Sequence, residues 1–168
     1  MKKDPHTDPE ILRFMAFALE GTKRMNQLIN DLLEYSRIQN ETLCLEEFNL
    51  KEPVQLALMN LKGLLEEKKA RIDLPEKFPL VQGRKSHLVI LFQNLIQNAL
   101  KYQPENQIPE ITLKIDEDSD FYQIQIQDNG IGIAPDQLEK IFQIFHRLHS
   151  RKKYSGSGIG LALCRTFR

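Results

Sequence analysis

Apolar and small side chains recur near the start of the chain at Ile11, Met15, Ala18, Thr22, Met25, Ile29, Leu32 and Ser36, in steps that alternate four and three without a slip. An average step of 3.5 marks a helix whose seam faces another helix. Phe14, Gly21, Leu28 and Tyr35 form a second column, and Leu12, Leu19 and Leu33 a third. A stripe this wide belongs to a bundle and not to a helix lying alone on a surface. Asp8 before Pro9 supplies an N-cap with proline in the first turn. The pattern predicts one long helix over residues 8–40. No second heptad helix follows, so its partner comes from another chain or another segment; the alternative is a core helix within one domain.

Beyond it the period changes. "TLCLEEFNL" reads as a short strand and turn, and Asn49 with Glu52 makes a capping box that opens a helix over residues 50–68. "ARIDL" reads as a strand, and "PEKFPLVQG", with two prolines and a glycine, as an extended connection. A second helix runs from Lys85 to Tyr102, with Leu88, Val89, Phe92, Leu95, Ile96 and Ala99 on its apolar side. "EITLKI" and "FYQIQIQD" alternate with period two around the acidic turn "DEDSD" and predict a hairpin. Pro135 opens a short helix through Phe142, and a last helix starts near Gly158. These elements make an α+β fold: a mixed or antiparallel sheet covered by helices, with a helical arm in front.

Composition narrows the function classes. The chain has 168 residues, 41% of them apolar and 27% charged, enough for one domain with an appended helix. Lysine plus arginine and aspartate plus glutamate each number 23, which gives no electrostatic argument for nucleic acid or an anionic membrane. The longest apolar run, Leu88 to Phe92, is far below what a bilayer needs, and "MKKDPHTDPE" has no signal-peptide core. The two cysteines, Cys44 and Cys164, fit a reducing compartment, so the expected location is cytoplasmic.

Three clusters carry chemistry. Asn94, Asn98 and Lys101 lie on one line of the second helix, away from its apolar side. They are either solubilising polars or carboxamide oxygens for a hard cation such as Mg²⁺, with an ammonium facing phosphate. Asp128 ends the second hairpin strand on the face of Tyr122, Ile124 and Ile126, the core-facing side, where a carboxylate is costly unless a donor meets it. It either makes an Asx turn into Asn129-Gly130 or accepts from a ligand amine, which would select ATP over GTP. Gly130 and Gly132 would let the backbone approach the base. In "GSGIGLAL", Gly156, Gly158 and Gly160 alternate at a helix start, a place for phosphate, although the spacing is neither a dinucleotide fingerprint nor a Walker loop.

In this order, "NLIQNALKY", "DNGIGI", "IFQIFHRLH" and "GSGIGLAL" resemble the N box, first glycine box, F box and second glycine box of sensor histidine kinases, most of all the phytochrome-like subgroup. "GTKRMNQLINDLLEYSRIQ" resembles the second helix of that family's dimerisation hairpin. The resemblance implies a Bergerat-type α/β sandwich of the GHKL superfamily. Residues 8–40 would be the hairpin helix and residues 41–168 the ATP-binding catalytic domain, without the family's last two strands. It implies Asn94 and Asn98 on Mg²⁺ and phosphate, Lys101 and Tyr102 beside the nucleotide, and Asp128 on the adenine amine. Gly130, Gly132 and Ile133 would line the base. Phe142 and Phe145 would anchor the lid, with Phe145 at the nucleotide and Arg147 reaching the terminal phosphate. Gly156, Ser157, Gly158, Ile159, Gly160 and Leu161 would line the phosphate edge.

The implied partners are ATP, a response-regulator receiver domain and a second copy through the first helix, with no nucleic acid and no membrane contact. The γ-phosphoryl group would pass to a histidine and then to a response-regulator aspartate. The phosphoacceptor histidine belongs upstream of Asp8. His6 falls in the hairpin loop, His87 on the Asn94 line, and His146 and His149 in the lid. This chain is therefore expected to bind Mg-ATP without phosphorylating itself. Two other readings compete: a gyrase-, MutL-, chaperone- or anti-sigma-like ATPase, which lacks the heptad helix, and a non-catalytic interaction module derived from a kinase.

Overall fold

The computed structural model describes residues 9–40, 45–119, 121–148 and 158–165. The chain divides into two compact units, residues 1–40 and 41–168. In the first, helix α1 spans Pro9–Asn40 without a break. Ile11, Met15, Met25, Ile29 and Leu32 on its heptad stripe are 42–59% exposed, so nothing within this unit covers the stripe among the described residues.

The second unit is α+β. Strand β1 (Glu46–Asn49) pairs antiparallel with β3 (Leu80–Gly83), in register Phe48↔Val81. Strand β2 (Arg71–Asp73) runs parallel to β4 (Glu110–Glu117), which pairs antiparallel with β5 (Tyr122–Asp128) from Ile111↔Asp128 to Glu117↔Tyr122. The second sheet is thus mixed, in the order β2-β4-β5. Helices α2 (Lys51–Asn60) and α4 (Lys85–Lys101) set Leu50, Val54, Ala57, Phe92, Ile96, Ala99 and Leu100 against Ile111 and Leu113 of β4. All are 7% exposed or less, and this single core fixes how α4 sits on the sheet.

Local chemistry explains the boundaries. Asn49 Oδ1 accepts from the Lys51 amide at 2.9 Å just before α2, but the N-cap is Leu50 without a side-chain bond, so the expected capping box is formed only in part. The predicted helix over residues 50–68 is instead two helices. Leu61 turns inward, 7% exposed, with its amide shared between the Ala57 and Leu58 carbonyls; α3 (Lys62–Lys68) follows. Gly63 inside the next turn weakens a continuous helix. The predicted connection "PEKFPLVQG" contains β3, because its last four residues find β1 as a partner. The helix expected from Pro135 is two short 3₁₀ turns, Pro135–Gln137 and Lys140–Phe142, and the last helix, α5, spans Gly160–Cys164. No described helix is long and apolar enough to cross a membrane.

Candidate functional site

Helix α4 is the spine of the site. Asn94, Asn98 and Lys101 are half-buried on one line of it. At Asn94 that line meets α5. Asn94 Nδ2 donates to the Ile90 carbonyl one turn back at 3.0 Å. Its Oδ1 then occupies the space a Cβ on Gly160 would need, with Cγ 3.2 Å from that position. Glycine at 160 is what lets α5 reach α4 here. Asn98 lies one turn further on, and its carboxamide has no partner among the described residues. Lys101 Nζ donates to the Tyr102 hydroxyl at 3.0 Å and lies 4.5 Å from that ring's centroid.

The end of α4 meets the end of β5. The Ile131 amide donates to the Tyr102 carbonyl at 3.0 Å, and the Gly130 amide to Asp128 Oδ1 at 2.8 Å. Asp128 is exposed, which corrects the expectation of a core-facing carboxylate. Alternation does put it on the face of Ile124 and Ile126 and opposite the buried Ile111, but it is the last residue of β5 and its side chain stays exposed there. The Asx turn therefore forms with one oxygen only, and the other has no partner among the described residues. Gly130 serves the protein and not primarily a ligand: a Cβ there would lie 2.5 Å from the Tyr102 carbonyl and 2.6 Å from Asp128 Oδ1. Gly132 has open space around its Cβ position and a φ of 69°. It is glycine for its backbone conformation.

The flanks of the basic segment form the third wall. The Phe142 ring lies 5.9 Å from the Arg165 guanidinium beyond α5. Phe145, expected to anchor the lid, is 58% exposed with a φ of 65°; a left-handed backbone turns its ring away from the core. Its amide makes the connection instead, donating to the Gly158 carbonyl at 3.0 Å. Gly158 has a φ of 80°, and a Cβ there would meet the His146 carbonyl at 3.0 Å and Arg147 Cγ at 3.1 Å. His146 Nε2 is buried without a partner among the described residues, and His87 Nε2 lies 3.3 Å from Arg84 Nη1. Ile159 is buried, and Ile133 is 43% exposed. Gly156, Ser157, Cys44, His6 and His149 lie outside the described residues.

Burial at the end of α5 pushes the Cys164 thiol up to about 11. Little thiolate forms near neutrality, so iodoacetamide at pH 8 should label Cys164 roughly tenfold more slowly than a free cysteine. A Cys44→Ser chain isolates the signal, and labelling at the free rate would show that α5 does not stay packed.

Among the described residues no cluster of three His, Cys, Asp or Glu side chains could hold a metal. The carboxamides of Asn94 and Asn98 are the hard-oxygen donors along the spine. What the sequence reading missed here is Asn129. Its Oδ1 accepts from the Glu110 amide at 2.9 Å, its Nδ2 donates to the Ile108 carbonyl at 3.0 Å, and its carbonyl accepts from Gln107 Nε2 at 2.7 Å. In the sequence it looks like any turn residue.

Residues 83–168, about half of the chain, match the family described as histidine kinase-, DNA gyrase B-, and HSP90-like ATPase. The chain is 38% identical over 165 residues to phytochrome-like protein Cph1 of Synechocystis, covering 98% of this chain and 22% of that protein. It is 28% identical to the sensor histidine kinase WalK of Bacillus subtilis, over 91% of this chain and 26% of that one. It thus spans about a fifth to a quarter of the length of these relatives. Among solved structures, the histidine kinase AdeS of Acinetobacter baumannii superposes with a TM-score of 0.68 at 22% identity, covering 98% of this chain and 73% of that one. The histidine kinase ThkA, in complex with response regulator protein TrrA, also gives 0.68 at 22% identity, over 97% and 44% of the two chains. These two likenesses concern the fold. The four boxes, the mixed sheet under α4 and the family match together make this chain a member of the histidine kinase-, DNA gyrase B- and HSP90-like ATPases, and within them the ATP-binding catalytic region of a sensor histidine kinase.

Proposed function

We propose that this chain binds Mg-ATP and that the intact protein passes the γ-phosphoryl group to a histidine and then to a response-regulator aspartate. The observation that carries this reading is the Asp128 turn. One carboxylate oxygen is fixed by the Gly130 amide, and the other is left for a ligand donor. Adenine presents an amine where guanine has a carbonyl, so ATP is preferred over GTP.

The remaining roles follow the spine. The Asn98 carboxamide is unengaged among the described residues, and the Asn94 oxygen is oriented by its own amide. Mg²⁺ keeps several waters, so two such oxygens fit it. When bound, the ion would neutralise phosphate charge. Lys101 and Tyr102 lie beside the nucleotide, Gly130, Gly132 and Ile133 along the base, and Phe145 and Arg147 at the lid. Gly156, Ser157, Gly158, Ile159, Gly160 and Leu161 line the phosphates. Catalysis is positioning and charge stabilisation.

Residues 8–40 act as the second helix of a dimerisation hairpin, supported by the uncovered stripe on α1, and the intact protein is a homodimer. Residues 41–168 act as the ATP-binding domain. The ThkA complex with TrrA supports a receiver domain as partner. The location is cytoplasmic, with no role for nucleic acid or membrane contact in this chain.

Calorimetric titration with Mg-ATP should show saturable binding, with none for GTP. No heat from a monodisperse, folded chain would overturn the reading in favour of an interaction module. Labelled ATP should leave no acid-labile phosphohistidine on this chain, because the acceptor histidine is supplied by another helix.

A further inference from the structure

The last registered pair of the β4–β5 ladder is Ile111↔Asp128. Continued by one step, the same register would set Glu110 opposite Asn129. The backbone does not continue. It leaves the sheet at Asn129 and heads for Tyr102, where the Ile131 amide meets the Tyr102 carbonyl at 3.0 Å. The groups stranded on the β4 side are the Glu110 amide and the Ile108 carbonyl. Both are taken by one side chain: Asn129 Oδ1 accepts from Glu110 at 2.9 Å, and Asn129 Nδ2 donates to Ile108 at 3.0 Å. A carboxamide carries the same acceptor and donor as a peptide group, so it can stand in for the missing strand. Gln107 Nε2 holds the Asn129 carbonyl from the same side at 2.7 Å.

We propose that Asn129 is a positioning residue: its carboxamide replaces one step of the ladder and so fixes where Asp128 points. This rests on the assignment of Asp128 to the adenine amine under Proposed function. With or without the strut, the one bond to the Asp128 side chain among the described residues is that of the Gly130 amide, so the strut acts on Asp128 through the backbone of the turn. The strut's partners are solvent-accessible, Ile108 being 42% exposed. Water can replace its bonds, so the effect of removing it falls on geometry more than on stability.

The test compares Asn129→Ala with Asp128→Asn in the full chain. Two quantities are read: the preference for ATP over inosine triphosphate, which carries a carbonyl in place of the amine, and solvent exchange of the Gly130 amide by NMR. The Asn129 side chain makes no hydrogen bond to that amide, so a local loss of its own bonds leaves protection unchanged once the rate is corrected for the new neighbouring side chain. The expected result is a roughly tenfold fall in the ATP preference, the worth of one ordinary hydrogen bond, together with faster Gly130 exchange. Added to Asp128→Asn, the Asn129 change should bring no further loss of preference. An unchanged Gly130 amide, or equal weakening for both nucleotides, overturns the proposal. Should Asn129→Ala not fold, Asn129→Asp keeps the acceptor for Glu110 and loses the donor to Ile108, and the same two readings apply. If the unmodified chain shows no preference for ATP, the adenine assignment falls, and Gly130 exchange alone decides whether Asn129 positions the turn.

Discussion

Asp128→Asn is expected to weaken ATP binding by roughly 30-fold or more, the worth of a hydrogen bond to a charged acceptor, while the chain stays folded. Asparagine keeps an oxygen for the Gly130 amide, so the turn that Asp128 Oδ1 makes at 2.8 Å persists. The oxygen that has no partner among the described residues becomes an amide nitrogen, and two donors then face each other across the adenine amine. Guanine places a carbonyl at that point and would accept from the new donor, so the preference for ATP should narrow or invert. Calorimetry with both nucleotides and a thermal melt on the same preparation check this. ATP affinity that survives the substitution would remove Asp128 from the site.

Gly130→Ala should cost about 3 kcal/mol, the upper end of what overpacking does, and take nucleotide binding with it. The new methyl would stand 2.5 Å from the Tyr102 carbonyl and 2.6 Å from Asp128 Oδ1. Neither can give way alone: the first is backbone at the end of α4, and the second is bonded to the Gly130 amide. Gly132→Ala is the control, because nothing lies within 4 Å of its Cβ position. It should cost only the left-handed penalty of about 1–2 kcal/mol. Denaturant unfolding of the two variants gives the order, and equal losses would mean that contact with Tyr102 does not set the turn.

Much of the fold could be read ahead because it is periodic. The heptads of α1, the apolar side of α4 and the alternation of β4 and β5 are local patterns with a face to bury. What stayed hidden depends on partners distant in the chain. β3 is disguised by the prolines before it and is a strand only because β1 lies alongside. The same holds at the site. Asp128 and the glycines announce themselves by type and spacing, but Asn129 does not, since its partners at Ile108 and Glu110 lie at the start of β4, some twenty residues away. Of the two readings of Asp128 the turn is seen, and because a carboxylate has two oxygens it leaves room for the proposed ligand acceptor.

Helix α4 also works as a ruler. It touches Gly160 through Asn94 and the Gly130 turn through Tyr102, and the eight residue steps from one to the other span about 12 Å. Adding one residue between those two points would lengthen the ruler by only about 1.5 Å, but it would turn one end against the other by about 100°. One of the two glycine turns would then lose its mate altogether. Tolerance to insertion and deletion should therefore be lowest between residues 94 and 102. The exposed end of the β4–β5 hairpin, which holds no part of the site, can change length freely.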